Sequence, residues 1–71
     1  MDNAQSIVGK NIRRTRLKTG MSQEDLSFKS GLHRTYISSV ERGNRNVTLR
    51  SLITIAKALG VRTTKLLEGI K

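Results

Sequence analysis

The stretch from Gln23 to Glu41, QEDLSFKSGLHRTYISSVE, restricts what this chain can become more than any other. It reads as two short helices joined by a tight turn at Gly31. Leu26, Ile37 and Val40 are its apolar positions, and Ser27 is small where the two helices must cross closely. Gly31 follows Ser27 by four residues, where such a turn needs a residue that tolerates positive φ. Past the turn, His33, Arg34, Thr35, Tyr36, Ser38 and Ser39 lie mostly off the face formed by Leu32, Ile37 and Val40. A short helix with a dry back and a front of hydrogen-bonding groups suits the major groove of DNA.

The rest of the chain fits an all-α fold. Proline is absent, and the β-branched residues fall at helical rather than alternating spacing. A first helix is expected over roughly 3–19, with an apolar stripe at Val8, Ile12 and Leu17 and with Lys10, Arg13, Arg14 and Lys18 on its other faces. Gly20 ends it as a left-handed cap, and Met21 enters the core. Ser22 caps the second helix, over 23–30, with Glu24 and Asp25 favourably placed in its first turn. Arg42 to Asn46 is a loop by composition. Thr48 caps a fourth helix whose buried face is Leu49, Leu52, Ile55, Ala56 and Leu59, and Gly60 stops it. Val61 is expected in the core, and Thr63 as the cap of a fifth short helix holding Leu66 and Leu67. Phe28 has no clear core register and is expected half-exposed.

Charge narrows the function. Fourteen Lys and Arg against five Asp and Glu leave a net charge of +9 on 71 residues, read as one domain, 1–71. Basic chains of this size meet polyanions, and a solvated basic face is the plain alternative. A chain so short buries only about 60% of its unfolded surface, so a partner subunit would help its stability. There is no cysteine, which removes disulfides and thiolate metal sites. The sole histidine, His33, lacks the partners of a zinc site or a catalytic triad, and no carboxylate pair or nucleophile–base pair points to an enzyme. No metal, cofactor or small-molecule ligand is implied. No apolar run suggests a signal peptide or a membrane span, so a cytoplasmic place and no membrane partner are expected.

The runs VGKNIRRTR, MSQEDLS, SGL, YISSVERG, TLRSLITIAKALGV and TKLLE resemble the lambda-repressor-like (Cro/repressor, XRE) helix-turn-helix family over nearly the whole chain. GLHRTYISSVERGNRNVTLRSL looks like a narrower group, the small controller proteins of restriction–modification systems. Caps and spacing read as a compact five-helix fold with the helix-turn-helix over about 22–41, and the apolar positions left outside the core point to dimerisation through about 48–71. The resemblance implies a homodimer on double-stranded operator DNA that regulates its own gene and the endonuclease gene. Binding one site would activate and filling an adjacent site with a second dimer would repress, with RNA polymerase as a further partner. Three positions depart from the family pattern: Ser27 replaces a commoner Ala, Phe28 a commonly polar residue, and Thr15 a frequently apolar one, which should loosen packing of the first helix.

Arg34 heads the candidates for base readout, since its guanidinium near the helix start can hold guanine O6 and N7 together; a phosphate contact is the alternative. Thr35 offers a methyl to thymine and a hydroxyl to a base edge or phosphate. Tyr36 either packs as a core edge or, as the resemblance suggests, touches DNA. Ser38 suits phosphate, Ser39 a base edge or phosphate, and His33 a phosphate near the helix start. By resemblance Gln23 binds a phosphate and braces the recognition helix, and Arg45 reaches bases or backbone near the operator centre; Gln23 as an inert surface residue is the alternative. Asn46 is a phosphate candidate or a plain turn residue. Arg16 and Glu41 pair structurally in the family and are kept off the DNA surface, because losing one partner would strand a buried charge. Leu67 and Ile70 follow Leu66 at a spacing that leaves them partly outside a monomer core, and Ile53 lies at the edge of its helix's buried face. Self-contact or, for Leu67, ordinary core packing accounts for them. A phage-type repressor, Cro-like protein or antitoxin of the same fold stands beside the controller role. A non-specific nucleic-acid module is the competing class, weakened by having two aromatics to stack on bases.

Overall fold

Polar side chains mark where the helices begin. A computed structural model describes residues 3–71, along which run α1 (Ala4–Lys18), α2 (Gln23–Ser30), α3 (Arg34–Glu41), α4 (Leu49–Leu59) and a terminal 3-10 turn (Thr63–Leu67). Asn3, Ser22, His33 and Thr48 each accept a backbone N–H of the following first turn on the side chain. Ser22 does so reciprocally: its Oγ accepts from the Asp25 N–H, and Asp25 Oδ2 accepts from the Ser22 N–H, both at 2.9 Å. The turn between α2 and α3 closes at Gly31, whose φ of 75° lets its N–H reach the Ser27 carbonyl at 2.9 Å.

Ile12, Leu26, Ile37, Ile55 and Leu66 are fully buried and draw every element into one core. Each such side chain contributes about 1.5–3 kcal/mol of transfer free energy. α1 is the spine, packing against α3 along one flank and the terminal turn along another, while α2 lies on α3 and α4. Gly9 makes the first contact possible. A Cβ there would sit 2.3 Å from the Val40 carbonyl oxygen, so the backbones of α1 and α3 touch where no side chain fits.

Several expectations need correction. The described residues form four α-helices, and the fifth element is a 3-10 turn, the tighter geometry that short segments adopt. Thr63 is its first residue rather than its cap; Arg62 holds the cap position and makes no side-chain cap bond. Leu49, at the first position of α4, is 71% exposed, because the core begins one turn later at Leu52. Leu17 is exposed as well, since Val8, Ile12, Thr15 and Arg16 fill the inward arc of α1. Phe28 is 91% exposed, for α2 buries Leu26 alone. Val61 and Met21 are half-buried against the core. Thr15 is buried in spite of its hydroxyl. No helix among the described residues is long and apolar enough to cross a membrane.

Candidate nucleic-acid interface

α3 has its back in the core and its front in solvent. Ile37, Val40 and Glu41 are buried, Arg34 and Thr35 are exposed, and Tyr36, Ser38 and Ser39 are half-buried at the flanks. The exposed guanidinium groups of Arg34, Arg42 and Arg45 come from α3 and the loop that follows it. That concentration of cations beside an open helix face attracts a polyanion.

His33 sits at the cap of α3, where its Nδ1 accepts the Thr35 N–H at 3.1 Å and also meets the Thr35 hydroxyl. Used as an acceptor, Nδ1 carries no proton, which leaves Nε2–H as the donor of the neutral ring. Ser38 Oγ accepts from Arg42 Nη1 one turn along the helix. The Ser39 carbonyl accepts the Asn44 N–H at 3.0 Å, which folds the loop back onto the end of α3. Asn46 Oδ1 accepts from Gln5 Nε2 at the start of α1. The loop is thereby tied at both ends.

Tyr36 packs its ring against the core, and its hydroxyl is shielded with no hydrogen-bond partner among the described residues. The Arg45 guanidinium lies 5.1 Å from the ring centroid, a cation–π contact between the loop and the recognition helix. A DNA contact through the tyrosine hydroxyl therefore requires the ring to leave this position.

Behind the helix, Arg16 Nε donates to Glu41 Oε2 at 2.7 Å and Nη2 to Oε1 at 2.9 Å, both side chains buried. Arg16 Nη1 also donates to the Met21 carbonyl at 2.9 Å. The hydrogen bond to Glu41 raises the guanidinium pKa above its ordinary value, outweighing the opposing effect of burial. Gln23 joins this pair: its Nε2 donates to Glu41 Oε1 at 3.1 Å. The glutamine at the head of α2 is thus held by the last residue of α3.

At the far end, Ile53, Leu67 and Ile70 are each 38% exposed. Leu67 and Ile70 share with Leu49 a groove of about 310 Å³ between α1, the loop and α4. Ile53 does not line it.

A family model described as Helix-turn-helix matches residues 12–66 of the chain. Control protein C.BamHI of Bacillus amyloliquefaciens is 50% identical over 68 residues, covering 94% of this chain and 84% of that one. Control protein C.SmaI of Serratia marcescens is 54% identical over 67 residues, 92% of this chain and 80% of its own. The restriction–modification controller protein C.Esp1396I, solved as a tetramer with its natural 35-base-pair operator, superposes with a TM-score of 0.86 at 46% identity, over 96% of this chain and 90% of that one. This chain belongs to the helix-turn-helix family, among its restriction–modification controllers. It shares that family's role as a transcriptional regulator.

Two partners of the candidate residues, Arg42 of Ser38 and Gln5 of Asn46, escape sequence reasoning. Arg42 and Ser38 stand four apart, a helical spacing that could have been read as a pair. Gln5 and Asn46 are 41 residues apart, and nothing local links them.

Proposed function

We propose that this controller works as a homodimer on twofold-symmetric operator DNA, regulating transcription of its own gene and of the endonuclease gene. The observation that carries the reading is α3 itself: Arg34 and Thr35 in solvent on a helix whose Ile37 and Val40 are fully buried. Arg34 reads guanine, Thr35 a neighbouring base, and Ser39 and Arg45 the edges of the same half-site. Tyr36 joins them once its ring swings out. Gln23, His33, Ser38 and Asn46 meet phosphates, which set register and carry no sequence information. Gln23 has one Nε2 hydrogen engaged by Glu41 and a second left for a phosphate oxygen. Arg16 stays structural.

Self-association runs through 48–71, where Leu67 and Ile70 line one groove with Leu49 and Ile53 is exposed outside it. Twofold symmetry then sets the two recognition helices about 34–36 Å apart, one turn of B-DNA. C.Esp1396I assembles as a tetramer on its operator. Two dimers on adjacent sites are the corresponding arrangement here, with a promoter-bound dimer touching RNA polymerase.

The test is selection from a pool of random duplexes at near-physiological salt. A twofold-symmetric motif is expected. Enrichment of no sequence, with binding that salt abolishes, would reduce the chain to a basic nucleic-acid module. Affinity for the selected duplex should fall on the order of a thousandfold from 50 to 200 mM salt if six or more phosphates are neutralised. Arg34→Ala should relax preference at one base position of each half-site, seen by comparing single-base variants of the selected duplex.

A further inference from the structure

One amide on α1 reaches the opposite end of the chain. Asn11 is buried, and its Nδ2 donates to the Leu66 carbonyl at 2.9 Å and to the Glu68 carbonyl at 2.8 Å. Both hydrogens of the amide are therefore spent on backbone that lies 55 and 57 residues away. Its Oδ1 accepts a long bond from Arg14 at 3.4 Å, which fixes which side of the amide faces the carbonyls.

The two acceptors bracket Leu67. Leu66 is fully buried and anchors the turn by itself, whereas Leu67 and Ile70 keep 38% of their surface in solvent and are held less firmly. The 3-10 turn lacks a side-chain cap at its start. Beyond it, the Ile70 N–H reaches the Leu67 carbonyl at 3.2 Å, and an exposed Lys65–Glu68 pair at 3.5 Å adds little. The grip of Asn11 on the Glu68 carbonyl adds a directional tie to α1 where Leu67 and Ile70 otherwise rest beside Ala4 and Val8.

We infer that Asn11 is a positioning residue for self-association: by clamping the carbonyls of Leu66 and Glu68 it presents Leu67 and Ile70 as one preformed apolar surface to a second copy of the chain. The inference rests on the reading of the C-terminal region as the dimer face. A surface ordered before contact binds more tightly, because the ordering cost is met within the monomer. Dimerisation in turn places the two recognition helices, so an α1 residue that need not touch DNA governs operator affinity.

The experiment compares Asn11→Ala and Leu67→Glu with the wild type in sedimentation equilibrium, with circular dichroism and binding to the selected duplex. For Asn11→Ala we expect retained helical signal and self-association weakened by roughly tenfold to a hundredfold, as for one or two net hydrogen bonds lost. Two copies of the variant joined by a flexible linker should regain the duplex affinity of linked wild-type copies, since linkage replaces association. Unchanged self-association in Asn11→Ala, while Leu67→Glu is monomeric, would overturn the role of Asn11 and leave the dimer face standing. Self-association unchanged in Leu67→Glu would instead remove the dimer face on which the inference rests. Loss of helical signal in Asn11→Ala, linked or not, would assign the amide to the monomer fold and overturn the inference too.

Discussion

Arg16 and Asn11 are both buried polar residues of α1, and each holds a different part of the chain by a different chemistry. Arg16 grips α3 through a carboxylate, charge against charge, with Gln23 drawn in as a third member. Asn11 grips the terminal turn through two neutral amide-to-carbonyl bonds. The distinction matters because a buried ion carries a desolvation cost that its partner must offset, whereas an amide carries a much smaller one. α3 is therefore held by a contact whose splitting strands a buried charge, and the terminal turn by one whose loss costs less.

The largest effect should come from splitting the charged contact. Glu41→Ala leaves the Arg16 guanidinium buried without its counter-charge and should cost about 3–5 kcal/mol, enough to unfold a domain this small, as read by thermal melting. Replacing both partners with apolar residues, Arg16→Met with Glu41→Leu, should restore most of that loss. If the double variant melts as low as the single one, the pair contributes more than relief of its own burial cost. Next comes the seam beside that pair. Gly9→Ala drives a methyl into the Val40 carbonyl oxygen, so α1 and α3 must separate, at about 1–3 kcal/mol in urea denaturation.

A smaller change tests the start of α2. Ser22→Ala should cost about 1 kcal/mol through loss of the cap. The reciprocal half of that box depends on pH. The Asp25 carboxyl is held below the usual carboxylate range, first by the Ser22 backbone N–H it accepts and then by the Ser22 side chain. A depressed folded pKa means its stabilisation is complete above the unfolded carboxylate range and is lost as pH falls through the folded value. Melting curves of wild type and Asp25→Asn should thus differ at neutral pH and converge in strong acid. The smallest effect is expected at Phe28, which touches almost nothing: Phe28→Ser should shift stability by no more than about 0.5 kcal/mol and gain solubility.

Helix boundaries were legible because their causes are local. Ser22, Thr48, Gly20, Gly31 and Gly60 act on backbone groups within four residues, so a reader of the chain sees cause and effect side by side. The buried stripes at Val8 and Ile12 and from Leu52 to Leu59 follow from helical spacing in the same way. Spacing misjudged the ends of those stripes. Leu49 lies at the edge of the buried face of α4 yet projects past the limit of the core, which depends on where the neighbouring helices stop, and Leu17 turns to the side of α1 opposite Val8 and Thr15.

The local pattern alone determined that this chain is helical, where its first four helices start and stop, and that an open, hydrogen-bonding face follows Gly31. The family resemblance lay in the sequence as well. Tertiary structure decided which polar groups meet. Gln23 lands on Glu41 across 18 residues, Gln5 on Asn46 across 41 and Asn11 on Glu68 across 57. It also set Arg45 over Tyr36 and shielded the tyrosine hydroxyl. Such contacts depend on helix packing angles and on how closely backbones approach, as at Gly9, and no periodicity along the chain encodes either.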